Sequence, residues 1–189
     1  MIRIGILGDI GSGKSYVANN FGYPVFNADY EVSKLYKKNK KIFIKLNKKL
    51  PKYICSFPVN KNEITKAILS NKINLKKIIS IVHEEVRKKM KIFLKKNKHK
   101  KIVVLDIPLL LENKIYKKKD ILVFVDSKAK EINKRLKKRK NFNTKLISKF
   151  KKIQFNLNYK KKKSNFIIKN NFTNKLIKNQ IRYILNQIH

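Results

Sequence analysis

Acidic residues are scarce in this chain: 11 Asp+Glu stand against 49 Lys+Arg, a formal charge of +38 over 189 residues. Cysteine is scarcer still. Cys55 is alone, so neither an internal disulfide nor a cysteine-based zinc site can form. The three histidines, His83, His99 and His189, have no ligand-like spacing, which argues against a zinc site built on them. No apolar run reaches the ~18 residues that cross a bilayer, and the first residues carry no signal-peptide charge pattern. The expectation is a soluble, cytoplasmic protein. A hydrophobic content of 42%, with 11 Phe and 8 Tyr, excludes a disordered basic tail and predicts one compact domain with a small insertion.

Arginine is also rare. Only Arg3, Arg87, Arg135, Arg139 and Arg182 are arginine, and Lys, Ile and Asn, all favoured by A+T-rich codons, make up nearly half of the chain. A surface selected for nucleic acid draws on arginine, whose planar fork reads phosphate and guanine bidentately. Here lysine is spread along the whole length, so the charge reads as composition bias on a solvated surface. No specific nucleic-acid partner is expected, only non-specific binding at low salt. A basic nucleic-acid-binding protein with a vestigial nucleotide loop is the competing reading from another class.

The buried β-branched run at residues 2–7 predicts a parallel-type strand, followed by a glycine loop and a helix over 16–21. Further strands are predicted at 24–26, 102–106, 121–126 and 165–168, with a helical pattern from 30 to 98 broken near Pro51 and Pro58. Helices are expected over 128–139, 144–158 and 174–187, with 140–143 and 160–163 as loops. Strands alternating with helices predict a three-layer α/β fold around a five-stranded parallel sheet.

The strongest motif is Gly8-Asp9-Ile10-Gly11-Ser12-Gly13-Lys14-Ser15, set between that strand and that helix. Its glycines let backbone N–H groups converge on phosphate oxygens, with the helix N-terminus adding to the field. Gly8, Gly11, Ser12, Gly13, Lys14, Ser15 and Tyr16 are therefore the candidate ATP contacts. Lys14 reaches the β- and γ-phosphates, and the Ser15 hydroxyl is a Mg²⁺ ligand. Asp29, at the end of the second strand, is placed to take a proton from an attacking hydroxyl; the bland alternative is a helix cap. Asp106, ending the third strand, is the candidate Mg²⁺-side carboxylate. Asp126, ending the fourth, is expected to cap the helix near Lys128. Arg135 and Arg139, at i, i+4 spacing, fit bidentate phosphate contact from a lid over ATP. His83 stays open between a packed histidine and a substrate contact. His99 and His189 read as surface residues, and Cys55 as a half-buried thiol.

Taken in order, these segments resemble the dephospho-CoA kinase family over nearly the whole chain. Gly8 to Ser15 is similar to the family's G-G-I-G-S-G-K-S loop, and Phe26-Asn27-Ala28-Asp29 to its D-A-D motif. Lys61 with Ile64 and Ile68 is similar to R-x-x-L-x-x-x-V, and Val82-His83-Glu84-Glu85-Val86 to its H-P-x-V element. Leu105-Asp106-Ile107-Pro108-Leu109-Leu110-Leu111-Glu112 resembles D-V-P-L-L-F-E. Gln154, Lys160 and residues 165–170 resemble Q…K…A-D-x-V-I-x-N.

The resemblance implies transfer of the ATP γ-phosphate to the ribose 3′-hydroxyl of dephospho-CoA, giving CoA and ADP. It implies a P-loop kinase core over 1–30 and 100–189, a helical substrate-binding insertion over 31–99 and a helical lid near 135–160. Asp29 would be the general base, Lys14, Arg135 and Arg139 would stabilise the phosphoryl group, and Lys61, His83, Asp29 and Asp106 would meet the acceptor. ATP and Mg²⁺ are the implied substrate and ion, and a monomer is favoured. Another small-molecule P-loop kinase, such as a nucleoside, gluconate or shikimate kinase, is the runner-up.

Four positions depart from the family pattern. Asp9 replaces a glycine and should repel ATP unless its carboxylate turns outward or pairs with a lysine. Asn27 replaces the first Asp of D-A-D, Glu84 a proline, and Asn165 an aspartate.

Overall fold

The computed structural model describes residues 1–139 and 142–188. Lys140 and Asn141 of the expected loop, and His189, lie outside the described residues. Five parallel strands, β1 (Ile2–Gly8), β2 (Val25–Asn27), β3 (Ile102–Asp106), β4 (Ile121–Asp126) and β5 (Phe166–Lys169), form one sheet in the order β2-β3-β1-β4-β5. The helices are α1 (Lys14–Asn20), α2 (Ala28–Lys38), α3 (Lys40–Lys49), α4 (Lys61–Ser70), α5 (Lys72–Lys96), α6 (Ala129–Lys137), α7 (Thr144–Ile153), α8 (Leu157–Lys163) and α9 (Asn174–Ile188). The three-layer α/β expectation agrees with this architecture.

Period-2 alternation along strands buried on both sides divides the core in two. Ile4, Ile6, Val104, Val123 and Val125 pack with Val17 and Ala18 of α1 and Ile177, Ile181 and Ile184 of α9. Leu7, Phe26, Leu105, Leu122 and Phe124 face the other way, into one continuous cluster with residues of α2, α3, α4 and α5. Phe26 and Phe93 stack across this layer with ring centroids 5.6 Å apart. The helical stretch expected as an insertion thus shares its core with the sheet. Strand register then builds the functional edge: Asn27 pairs with Asp106, and Gly8 with Val125, at the carboxyl ends.

Asparagine has a structural use beyond composition. Asn27, Asn39, Asn60, Asn71, Asn143 and Asn156 each cap the N-terminus of a helix, accepting a backbone N–H from its first turn. With Glu84 in place of a proline, α5 runs unbroken through 25 residues, and Glu84 pairs with Lys88 at 2.8 Å on its outer face. Asn165 accepts the Leu122 N–H at 2.8 Å, so the amide serves where an aspartate would.

Several expectations need correction. Residues 144–158 are not one helix: α7 ends at Ile153, and the Phe155 N–H turns to Glu112 Oε1 at 2.8 Å. Residues 160–163 are not a solvated loop but the end of α8, with Lys160 buried against Glu112. Asp126 does not cap α6, whose N-cap Lys128 makes no side-chain cap bond; its carboxylate takes Lys161 Nζ at 2.8 Å instead. Cys55 is exposed rather than half-buried.

Replacing the α5 cap, Asn71→Ala, should lower unfolding stability by about 1 kcal/mol in urea titration, while Asn71→Asp stays close to wild type.

Candidate functional site: a phosphate loop ringed by charge

β1 delivers the chain into the glycine loop at the carboxyl edge of the sheet. Gly13 caps α1 at φ 90°, and a side chain there would run into the Asn170 amide and the Phe172 ring. At Gly11, φ 86°, a Cβ would lie 2.9 Å from Leu136, because α6 packs directly against the loop. Ser127 Oγ and Asn170 Nδ2 both donate to the Ser12 carbonyl, at 2.9 and 2.8 Å, pinning the loop from behind. Asn170 is 3% exposed, and its own N–H donates to Asp126. Tyr16 is exposed in the first turn of α1, and the buried Ser12 Oγ has no partner among the described residues.

Lys14 folds back over the loop, donating to the Asp9 carbonyl at 2.7 Å and the Gly8 carbonyl at 3.3 Å. Burial pushes its pKa down, against the pull of Asp106, Asp29 and Asp9 and with the push of Lys160. Asp106 is 3% exposed, and burial pushes its carboxyl up, opposed by a hydrogen bond with Ser15 and the charge of Lys14. Asn27 Nδ2 donates to Asp106 Oδ2 at 2.7 Å while its Oδ1 caps α2. An aspartate at position 27 could cap but not donate, so the amide removes a carboxylate–carboxylate repulsion. Because Asn27 is the cap, Asp29 is free of that role.

Asp29 is exposed beside Lys14, Arg139 and Lys61, whose charges draw its pKa down against a larger upward push from desolvation of its carboxyl. The structure therefore brings Lys14, Asp29, Lys61, Asp106 and Arg139 into one electrostatic group around the loop. Two sequence candidates stand apart from it. Arg135 lies over the Phe172 ring, 4.2 Å from its centroid, beside Gly13. His83 hydrogen-bonds Asn113 in the segment after β3; burial and Arg87 push its pKa down.

Asp9 turns outward. Its Oδ1 accepts the Ile10 N–H at 2.7 Å, and its Oδ2 lies 3.5 Å from Lys151 of α7. Sequence reasoning assigned no role to Lys151, Glu112, Lys160 or Asn170, since three of them were single members of a lysine-saturated or motif-bound background. The scarcity of acids and the motif that Glu112 closes both pointed toward it.

Ser15 Oγ and the Asp106 carboxylate, hydrogen-bonded to each other, form an oxygen-only pair that fits a hard cation. Among the described residues, no group of three or more His, Cys, Asp or Glu could hold a metal by itself. No helix among them is long and apolar enough to cross a membrane.

The dephospho-CoA kinase family profile matches residues 2–175. The dephospho-CoA kinase of Wolbachia pipientis is 33% identical over 191 residues, covering 98% of this chain and 97% of that one. Among solved structures, a Thermus thermophilus protein superposes with a TM-score of 0.77 at 24% identity, over 100% of this chain and 98% of that one. The dephospho-CoA kinase of Campylobacter jejuni superposes at 0.63 with 19% identity, covering 98% and 96%. These two likenesses show the fold. Ordered motifs, loop geometry and family match agree, and the chain belongs to the dephospho-CoA kinase family of P-loop kinases.

Proposed function

We propose that this protein transfers the γ-phosphate of ATP to the ribose 3′-hydroxyl of dephospho-CoA, yielding CoA and ADP. The observation that carries the reading is the convergence of Lys14, Asp29 and Arg139 at the mouth of the glycine loop. Backbone N–H groups of the loop hold the phosphates, and Lys14 exchanges its loop carbonyls for phosphate oxygens. Asp29 accepts the proton of the 3′-hydroxyl as its oxygen attacks, and Lys14 and Arg139 stabilise the charge spread over the moving phosphoryl group. Arg135, stacked on Phe172 beside Gly13, serves the nucleotide side. Lys61 and His83 face the acceptor. Ser15 and Asp106 would hold Mg²⁺, which when bound neutralises charge on the β- and γ-phosphates.

Residues 31–99 serve as the acceptor-binding part and residues 135–160 as the lid. The protein works as a monomer in the cytoplasm, and its lysines bind nucleic acid only non-specifically. Lys149 supports the lid reading: its Nζ takes the carbonyls of Ile68 and Leu69, at 2.8 and 2.9 Å, joining α7 to the end of α4.

Three outcomes test the reading. Asp29→Asn should lower turnover by about 10²–10⁴-fold in a coupled ADP-release assay while ATP affinity holds within a few-fold; wild-type turnover removes Asp29 from the base role. Asp29 must be ionised to accept the proton, and its pKa is pushed up. The acid limb of kcat/KM should therefore fall away at a higher pH than an ordinary carboxylate would give, with activity lost as pH drops through it. Because the Asp9 carboxylate is taken up by the Ile10 N–H and by the half-exposed Lys151, Asp9→Gly should change KM for ATP by less than about threefold. A much larger fall in KM would mean that Asp9 faces the phosphates.

A further inference from the structure

Outside the reacting groups, one buried ion pair ties α8 to the segment after β3. Lys160 is the largest of the fully buried side chains at 1% exposure, and its Nζ lies 2.7 Å from Glu112 Oε1, on a side chain 8% exposed. The same oxygen accepts the Phe155 N–H at 2.8 Å, in the break between α7 and α8. One carboxylate thus grips α8 both before its first turn and within it. Glu112 Oε2 is buried, with no hydrogen-bond partner among the described residues.

Stability is a poor explanation for such a pair. Taking both charges out of water costs about as much as their attraction returns, and apolar side chains of equal volume commonly do as well. Its placement is more informative. α8 packs on β1 and β4, the strands that carry the phosphate loop and Asp126, and Lys161 next to it holds Asp126 at 2.8 Å. The Lys160 cation is close enough to act electrostatically on Lys14. On the other side of the Phe155 break, α7 reaches Asp9 through Lys151 and α4 through Lys149. Glu112 stands where these attachments meet.

We propose that Glu112 and Lys160 are positioning residues for phosphoryl transfer: their buried pair sets the register of α7 and α8 over the phosphate loop, and so where the charges of Lys151 and Lys160 stand relative to Lys14. This rests on the kinase reading above. A register error displaces charges from the place where negative charge develops in the transition state, so it lowers kcat more than it raises KM.

The test uses the full chain in the ADP-release assay with Mg-ATP and dephospho-CoA, with thermal melts alongside. Two variants are compared with wild type: Glu112→Gln, which keeps shape and loses charge, and the double variant Glu112→Met with Lys160→Met, which replaces the pair by apolar chains. Both should fold at the assay temperature, Glu112→Gln with a lowered melting temperature because it leaves the Lys160 cation buried without a counter-charge. Both should show kcat at least about tenfold lower and KM for ATP within about threefold. Folded variants with wild-type kcat overturn the proposal. If the double variant does not fold, Glu112→Gln decides on the same criterion. If neither folds, the pair is a requirement of the fold and the proposal falls. Absence of dephospho-CoA-dependent ADP release by the wild type, read before any variant, overturns the kinase reading and this inference with it.

Discussion

Lys14 turns its ammonium back over its own loop at the carboxyl edge of the sheet, and the surrounding residues answer to that partly buried charge. It leans on the carbonyls of Gly8 and Asp9. Asp106, Asp29 and Asp9 pull its pKa up, while desolvation and Lys160 push it down. The Lys14 hydrogen bonds go to the carbonyls of its own loop, which suits the phosphate-binding role proposed for it. Five of the 11 acids, Asp9, Asp29, Asp106, Glu112 and Asp126, lie on or next to this edge, in a chain whose charge elsewhere is overwhelmingly positive.

The scarcity of acids makes each one legible by its partner. Asp9 is held by Ile10 and Lys151, Asp106 by Asn27 and Ser15, Asp126 by Lys161, and Glu112 by Lys160 and Phe155. Asp120, at the opposite end of the sheet, is buried in a 2.7 Å pair with Arg3 and serves the fold. Asp29 differs from these. Its charged neighbours are the cations Lys14, Arg139 and Lys61, and it is exposed to solvent. The proposed role as proton acceptor rests on that difference.

Much of this was legible in the sequence. Strands announced themselves as β-branched runs bounded by glycine or aspartate, and the loop by its spacing between strand and helix. Lysine was the blind spot. With so many lysines along the chain, nothing local marks Lys160 as buried or Lys161 as paired, and 160–163 reads as a solvated run. Burial is decided by Glu112, 48 positions earlier. The division of 144–158 into two helices has the same cause, since the Phe155 N–H leaves the helix for that carboxylate. Asparagine was underread in the opposite way: its abundance suits codon bias, yet six helices begin on it. Asn27 shows why position outweighs frequency, because one side chain caps α2 and steadies Asp106.

The most direct test of the account is the identity of the product. Purified protein with Mg-ATP and dephospho-CoA should form ADP only when dephospho-CoA is present, with a product of CoA mass carrying its new phosphate on the ribose 3′-oxygen. ADP release that ignores dephospho-CoA, or that is faster with a different hydroxyl acceptor, would contradict it.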